Sequence, residues 1–148
     1  MTEKIIPNDL FFGSVEELLS EGKTVEIRVK GYSMRPFLRN ERDTVRLCPT
    51  ADKELQRGMV VLFRNHSHHT LHRLHKIDGE RFTFKGDGNY RQSETVGRED
   101  IVAVVDRVVR GTRTFEYGSA EWRVRSFYSL TIKALRTAAI DIKHKLKI

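Results

Sequence analysis

A series of short strand patterns separated by turn residues limits most strongly the folds that this chain can adopt. Residues 24–30 and 43–48 alternate apolar and polar side chains, as a strand with one buried face does. Residues 59–63 form a continuous apolar run, which predicts a strand buried on both faces. Further strand patterns lie at residues 70–77, 81–85, 101–109 and 112–117. Because turn dipeptides such as Asp78-Gly79 separate them, the sequence predicts a mainly β domain with a twisted antiparallel sheet.

A helix is predicted on each side of the strand patterns. Ser14-Val15-Glu16-Glu17 fits a capping box, in which Ser14 accepts a first-turn N–H, and Gly22 is a typical helix stop. Near the other end, apolar side chains recur every three or four residues with basic residues between them. We therefore divide the chain into a β domain at residues 1–118 and a basic amphipathic C-terminal helix at residues 119–148.

The positive charge of the chain is concentrated in this C-terminal helix. The whole sequence carries a net charge of +7, and residues 121–148 contribute seven basic against two acidic side chains. Its apolar stripe could pack against the sheet or a second copy, or lie on an anionic membrane surface. We do not expect nucleic acid as a partner, and the oligomeric state stays open.

The composition limits the remaining classes of protein. The single cysteine, Cys48, excludes an internal disulfide and a cysteine-ligated zinc site. The longest apolar run, residues 101–105, is far too short to span a bilayer, and the N-terminal residues lack the pattern of a secretory signal. We expect a protein of the cytoplasm, or one at the periphery of a membrane.

Ser33 is the candidate nucleophile that the local sequence provides. Gly31 ends the first strand pattern and Pro36 restricts the turn that follows, so the intervening serine is held rigidly. A serine needs an adjacent base to act as a nucleophile, and His72, inside a strand pattern, has a side chain suited to that role near neutrality. Turn serines and strand histidines are also common without any catalytic role, and spacing alone does not connect these two residues with Asp87.

The order of five motifs resembles the type I signal peptidase and LexA-type serine peptidase superfamily. The motifs are Gly31-Tyr32-Ser33-Met34-Arg35-Pro36, Arg42-Asp43-Thr44-Val45, Arg57-Gly58-Met59-Val60-Val61-Leu62-Phe63, Leu71-His72-Arg73 and Lys85-Gly86-Asp87-Gly88-Asn89. The resemblance implies a largely antiparallel β fold that binds an extended peptide as an added strand.

The resemblance also implies roles for individual residues. Ser33 matches the nucleophile, His72 stands where some members have a histidine base and others a lysine, and Asp87 matches an aspartate that supports the base. Met34 and Pro36 match residues that shape the site around a small substrate side chain. The expected function is a serine endopeptidase with a Ser-His dyad that acts on a peptide or protein substrate without cofactor or metal.

Three departures from the family pattern stand beside these expectations. Gln92, Ser93 and Glu94 occupy the positions nearest to a second acid that the family often has. Gly31 replaces a hydroxyl that serves as oxyanion donor in some members, and the 32 residues before Ser33 in this sequence contain no pattern of a membrane anchor. A non-catalytic peptide-binding module is therefore the alternative. Metal binding by the histidines is less favoured, because a strand directs His72 and His75 to opposite faces.

Overall fold

The computed structural model describes residues 8–146, except for the side chains of Asn8, Asp9 and Asp52. This part of the chain contains eight strands and two α-helices. The helices are α1 (Asn8–Ser20) and α2 (Ala120–Leu146). The strands are β1 (Val25–Arg28), β2 (Asp43–Pro49), β3 (Val60–Asn65), β4 (His68–Asp78), β5 (Arg81–Lys85), β6 (Glu94–Gly97), β7 (Ile101–Arg110) and β8 (Arg113–Glu116).

All strands belong to one curled antiparallel sheet, which confirms the mainly β prediction. The order is β1-β2-β7-β3-β4-β5-β6, and β8 pairs with the second half of β7. β3 is buried along residues 60–63, as its apolar run predicts. Its side chains alternate between two hydrophobic clusters on opposite faces of the sheet. Leu62 packs in one cluster and Phe63 in the other.

Helix α1 begins earlier than the capping-box pattern predicts. It starts at Asn8, so Ser14 lies inside the helix and its hydroxyl donates to the Leu10 carbonyl at 3.2 Å. The prediction that Ser14 caps the helix is therefore wrong. The extra turn allows Phe11 and Phe12 to pack against the core. The predicted stop is confirmed, since Gly22 has a φ of +81° at the end of the helix.

Helix α2 is attached to the sheet at its first turns. The Ser119 hydroxyl accepts the Trp122 N–H at 3.1 Å, and the Trp122 ring packs edge-on against Phe37. Trp122 and Ser129 are its buried residues, whereas Phe127, Leu135 and Ile142 are each more than half exposed. The apolar stripe therefore does not pack against the sheet. No helix in the described range is long and apolar enough to cross a bilayer.

Candidate active site

Ser33 lies in the turn that joins β1 to β2, where it is partly exposed. Gly31 has a φ of +86°, a conformation that favours glycine, and its N–H donates to Asn40 Oδ1 at 2.8 Å. The Leu38 N–H donates to the Met34 carbonyl at 2.9 Å. These bonds hold the turn on both sides of Ser33, as the sequence predicts for a rigid position.

The loop of residues 86–89 packs directly against this turn. The Gly88 N–H donates to the Ser33 carbonyl at 2.7 Å. A Cβ atom added to Gly86 would lie 2.4 Å from the Ser33 carbonyl oxygen and 3.0 Å from His72 Nε2. Only a residue without a side chain fits there. Ser33 and the His72 ring therefore border the same glycine.

His72 is buried in β4 and bound to a carboxylate. Its Nδ1 lies 2.6 Å from Glu94 Oε1, at the start of β6. An ionised carboxylate only accepts hydrogen bonds, so in a neutral imidazole this contact places the proton on Nδ1 and leaves Nε2 with a free lone pair. Nε2 is the ring atom that lies beside Gly86. This ring nitrogen therefore faces the loop that packs against the Ser33 turn.

Within the described residues, the Ser33 hydroxyl and His72 Nε2 do not form a direct hydrogen bond. The Ser33 atom that borders Gly86 together with His72 Nε2 is the main-chain carbonyl oxygen, not the hydroxyl. Hydrogen bonds between a nucleophile and its base are commonly long in free enzymes and shorten when substrate binds. A proton transfer between Ser33 and His72 would therefore require the serine hydroxyl to turn towards the ring.

Asp87 contacts Arg73 and Ser129 rather than His72. Its two carboxylate oxygens accept from Arg73 Nε at 2.9 Å and Nη2 at 2.7 Å, and the Ser129 hydroxyl donates to it at 2.7 Å. Both members of the ion pair are buried. Arg73 follows His72 on β4, so Asp87 contacts the neighbour of His72 and not His72 itself. Its direct catalytic role stays a prediction.

Helix α2 also contacts the loop of residues 86–89, which we call the glycine loop. The Lys133 ammonium donates to the Gly86 carbonyl at 2.8 Å, and Arg73 Nη1 donates to the Ser126 hydroxyl at 3.1 Å. Burial lowers the pKa of Lys133, while the nearby Asp87 carboxylate opposes that shift. The inner face of α2, which carries Ser126, Ser129 and Lys133, therefore binds residues next to the candidate site.

A groove of about 590 Å³ begins at Ser33 and lies between two open strand edges. β1 pairs only with β2 among the described strands, and β5 pairs with β4 only from Arg73 onwards. Because the Val29 N–H bonds to Asp43, the backbone groups of Arg28 point to the open edge. Phe11 and Phe12 of α1 form a further wall. The groove can accept an extended chain that hydrogen bonds to strand edges.

The two residues expected to shape the site are placed differently. Met34 is buried, lines the groove beside Ser33, and its sulfur accepts the Asp87 N–H at 3.4 Å. Pro36 instead lines a second cavity, on the α2 side of the turn. Met34 is thus in position to shape a substrate pocket, and Pro36 does not border the groove.

Glu94 is the functional candidate that the sequence left undecided. It opens a four-residue strand that the sequence patterns did not predict. Phe84 pairs with both Leu74 and Glu94, so these residues share a face, and His72 lies two positions from Leu74 on that face. The sequence signal for Glu94 was an acidic residue shortly after the glycine loop. Its contact with His72 could be found only from the register of β4, β5 and β6.

His69 and His72 contact different carboxylates. His69 Nε2 lies 2.9 Å from Glu16 Oε2, and its ring stacks on Phe12 at 4.3 Å. His72 is bound to Glu94. In residues 8–146 no group of three or more His, Cys, Asp or Glu side chains is arranged to hold a metal ion.

Ser33 thus lines the open-edged groove, its main-chain carbonyl and the His72 ring border the same glycine, and the Glu94 carboxylate contacts that ring. Models of known protein families gave no match to this chain, and a search of curated proteins gave none.

Proposed function

We propose that this chain is a serine endopeptidase in which Ser33 is the nucleophile, His72 the base and Glu94 the residue that orients the base. The observation that carries the proposal is the Glu94–His72 contact of 2.6 Å, which leaves Nε2 as the ring nitrogen beside Gly86 and the Ser33 carbonyl. The motif order that resembles signal peptidase-type enzymes also supports it.

In the first half-reaction the Ser33 hydroxyl oxygen attacks the scissile carbonyl carbon, and its proton passes to His72 Nε2. The tetrahedral intermediate collapses when the imidazolium returns this proton to the amine of the leaving peptide, and an acyl ester on Ser33 remains. In the second half-reaction His72 accepts a proton from water. The resulting hydroxide attacks the ester, and the acid product leaves as the serine regains its proton.

Backbone groups stabilise the negative charge that develops on the substrate oxygen. The Ser33 N–H has no hydrogen-bond acceptor within the described residues, so it can donate to this oxygen. Gly31 supplies no hydroxyl at the position where some similar enzymes have one. The oxyanion site therefore depends on main-chain donors, which the bonds around Gly31 and Met34 hold in place.

The substrate in this proposal is an extended peptide. The backbone groups of Arg28 on β1 and the uncovered edge of β4 at residues 68–72 pair with it as with an added strand. Met34 and Leu71 line the groove near Ser33 and favour apolar substrate side chains. Glu16, bound to His69, connects α1 to this edge and holds the wall formed by Phe12.

A digest of a peptide library tests the proposal. The wild-type chain should cleave a subset of peptides, and Ser33→Ala should abolish cleavage while the protein stays folded, because one partly exposed hydroxyl contributes little to stability. Ser67→Ala, at the exposed tip of the β3–β4 hairpin, is the matched control and should cleave like the wild type.

The same digest separates the peptidase from a peptide-binding module. Fluorescence anisotropy of the recovered peptides shows whether the groove binds them without cleavage. Binding with no product from the wild-type chain would reject the peptidase in favour of the module. Equal cleavage by Ser33→Ala would reject Ser33 as the nucleophile.

A further inference from the structure

The outward face of α2 carries an apolar stripe that no other part of residues 8–146 covers. We define the outer stripe as Val124, Phe127, Tyr128, Leu135, Ile142 and Leu146, which are each more than half exposed. At 3.6 residues per turn, Val124, Leu135 and Ile142 lie within about 20° of one line along the helix, and the stripe is about 33 Å long. A contiguous exposed apolar surface of this length indicates an interaction site.

The opposite face of the same helix is fixed to the β domain. Trp122 is buried in the core, Ser129 bonds to Asp87 and Lys133 to the Gly86 carbonyl. These three contacts lie roughly opposite the outer stripe on the helix. The helix therefore cannot roll its apolar side inwards without losing buried polar bonds, and the outer stripe stays directed away from the domain.

An arginine-rich cleft adjoins the outer stripe. It has a volume of about 630 Å³, and Val124 and Tyr128 belong both to its wall and to the stripe. Its five cationic lining residues are Arg39, Arg42, Arg110, Arg113 and Arg125. We call them the arginine cleft.

The arginine cleft keeps an excess of positive charge. Asp43 accepts from Arg42 and Arg110, and Glu121 binds Arg125 at 2.8 Å with Arg113 at 3.6 Å. Two carboxylates thus face five guanidinium groups. The cleft suits phosphate oxygens, which guanidinium groups bind with paired hydrogen bonds.

We propose that the outer stripe and the arginine cleft together bind the surface of an anionic membrane. The apolar side chains enter the region between headgroups and acyl chains, as those of other interfacial helices do, and the arginines bind lipid phosphates. Arg123, Lys143 and Lys145 add positive charge along the helix. The contacts of the inner face then hold the Ser33 turn at a fixed distance from the bilayer.

Charge and packing argue against a second copy of the chain on this face. Two copies would bring basic residues of the same kind together along the stripe, which is unfavourable. In a coiled coil the seam would also contain Thr131, Ala138 and Lys145, which fill it poorly. A lipid surface fits both the apolar and the cationic groups.

Co-sedimentation of the full chain with vesicles tests the proposal. The wild-type chain should bind vesicles of phosphatidylglycerol and phosphatidylcholine in equal parts, and bind pure phosphatidylcholine more weakly. Binding should also decrease with salt, because exposed charges are screened within a Debye length. Phe127→Gln with Leu135→Gln should weaken binding at least tenfold, which is about 1.4 kcal/mol. Both side chains are exposed, so the fold should be retained.

Two arginine pairs test whether the arginine cleft is responsible. Arg39→Gln with Arg113→Gln should reduce the preference for anionic vesicles. The control pair is Arg81→Gln with Arg98→Gln, which removes the same amount of charge near β5 and β6. These strands lie at the end of the sheet away from β2 and β7, so vesicle binding should be unchanged. Equal losses in both pairs would overturn the assignment to this face.

The competing occupant is measured in parallel. Sedimentation velocity would reveal a dimer that depends on Phe127 and Leu135. That dimer, with no binding to anionic vesicles at low salt, would overturn the proposal. All of these readouts measure binding and not cleavage, so the result is independent of the proposed peptidase activity.

Discussion

Glu94→Gln tests the role of the carboxylate in the proposed reaction with little change in shape. The glutamine has nearly the same volume, and the site is almost closed to solvent, with 5% of the His72 side chain and 15% of the Glu94 side chain exposed. What the substitution removes is the negative charge that accepts the Nδ1 proton and stabilises the imidazolium formed during the reaction.

The size of the effect follows from this contact. A hydrogen bond that involves a charged group contributes about 1.5–3 kcal/mol. If the wild-type enzyme uses all of it in the transition state, kcat should fall about 10- to 150-fold, because 1.36 kcal/mol corresponds to a factor of ten. A glutamine amide can also donate to Nδ1 and favour the wrong tautomer, which would increase the loss towards the 10⁴-fold that a serine protease triad shows.

The assay is steady-state cleavage of a peptide taken from the library digest. Glu94→Gln should lower kcat strongly and change KM little, because Glu94 contacts the proposed base and does not line the groove. Glu80→Gln, an exposed glutamate bound to Arg98, is the matched control and should keep wild-type kinetics. A folded Glu94→Gln protein with wild-type kcat would refute the proposed role of the Glu94–His72 contact.

Three further substitutions test other parts of the account. Gly86→Ala should lower kcat/KM about 100-fold, because the added methyl group would displace the Ser33 carbonyl or the His72 ring. The control is Gly13→Ala, in an open position of α1. It should leave activity unchanged and stabilise the protein by up to about 1 kcal/mol. Asp43→Asn should destabilise the fold by about 3 kcal/mol in urea denaturation, because it leaves Arg110 and Arg42 without a buried carboxylate. Burial opposes ionisation of Asp43, but hydrogen bonds from Arg110 and Arg42 prevail and lower its pKa. The ionised carboxylate therefore stabilises the fold fully above about pH 4, and this stabilisation is lost as the pH falls further. The stability of the wild-type protein should consequently drop more steeply in acid than that of Asp43→Asn. Ser129→Ala should destabilise by about 1–2 kcal/mol and lower kcat more than it changes KM, and an unchanged kcat would show that α2 does not position the loop.

The strands were predictable because their signals are local. β5 has the bounds that its alternating residues indicate, Arg81–Lys85, since a turn dipeptide precedes it and a glycine follows. β6 was missed because it is only four residues long, and the single buried side chain among them is Val96. These residues form a strand because the edge of β5 provides backbone groups for them to pair with. The start of α1 was missed for a similar reason, since packing of Phe11 and Phe12 on the core extends the helix.

The candidate site was predictable only in part. Ser33 and His72 were brought together by the resemblance of motifs, because 38 intervening residues carry no distance information. The partner of His72 could not be chosen, since the side chain of Glu94 reaches the ring across a strand whose register the sequence does not reveal. The contacts of Ser129 and Lys133 depend on where α2 crosses the glycine loop. Helical periodicity shows which residues share a face but not what that face contacts.

Covalent labelling of the serine tests the central proposal most directly. A fluorophosphonate reacts with an activated serine hydroxyl, forming an oxygen–phosphorus bond as fluoride leaves, and mass spectrometry of the digested protein locates the adduct. The account predicts an adduct on Ser33 that forms much more slowly in His72→Gln and is absent in Ser33→Ala. An adduct on another residue that forms equally fast in Ser33→Ala would contradict it.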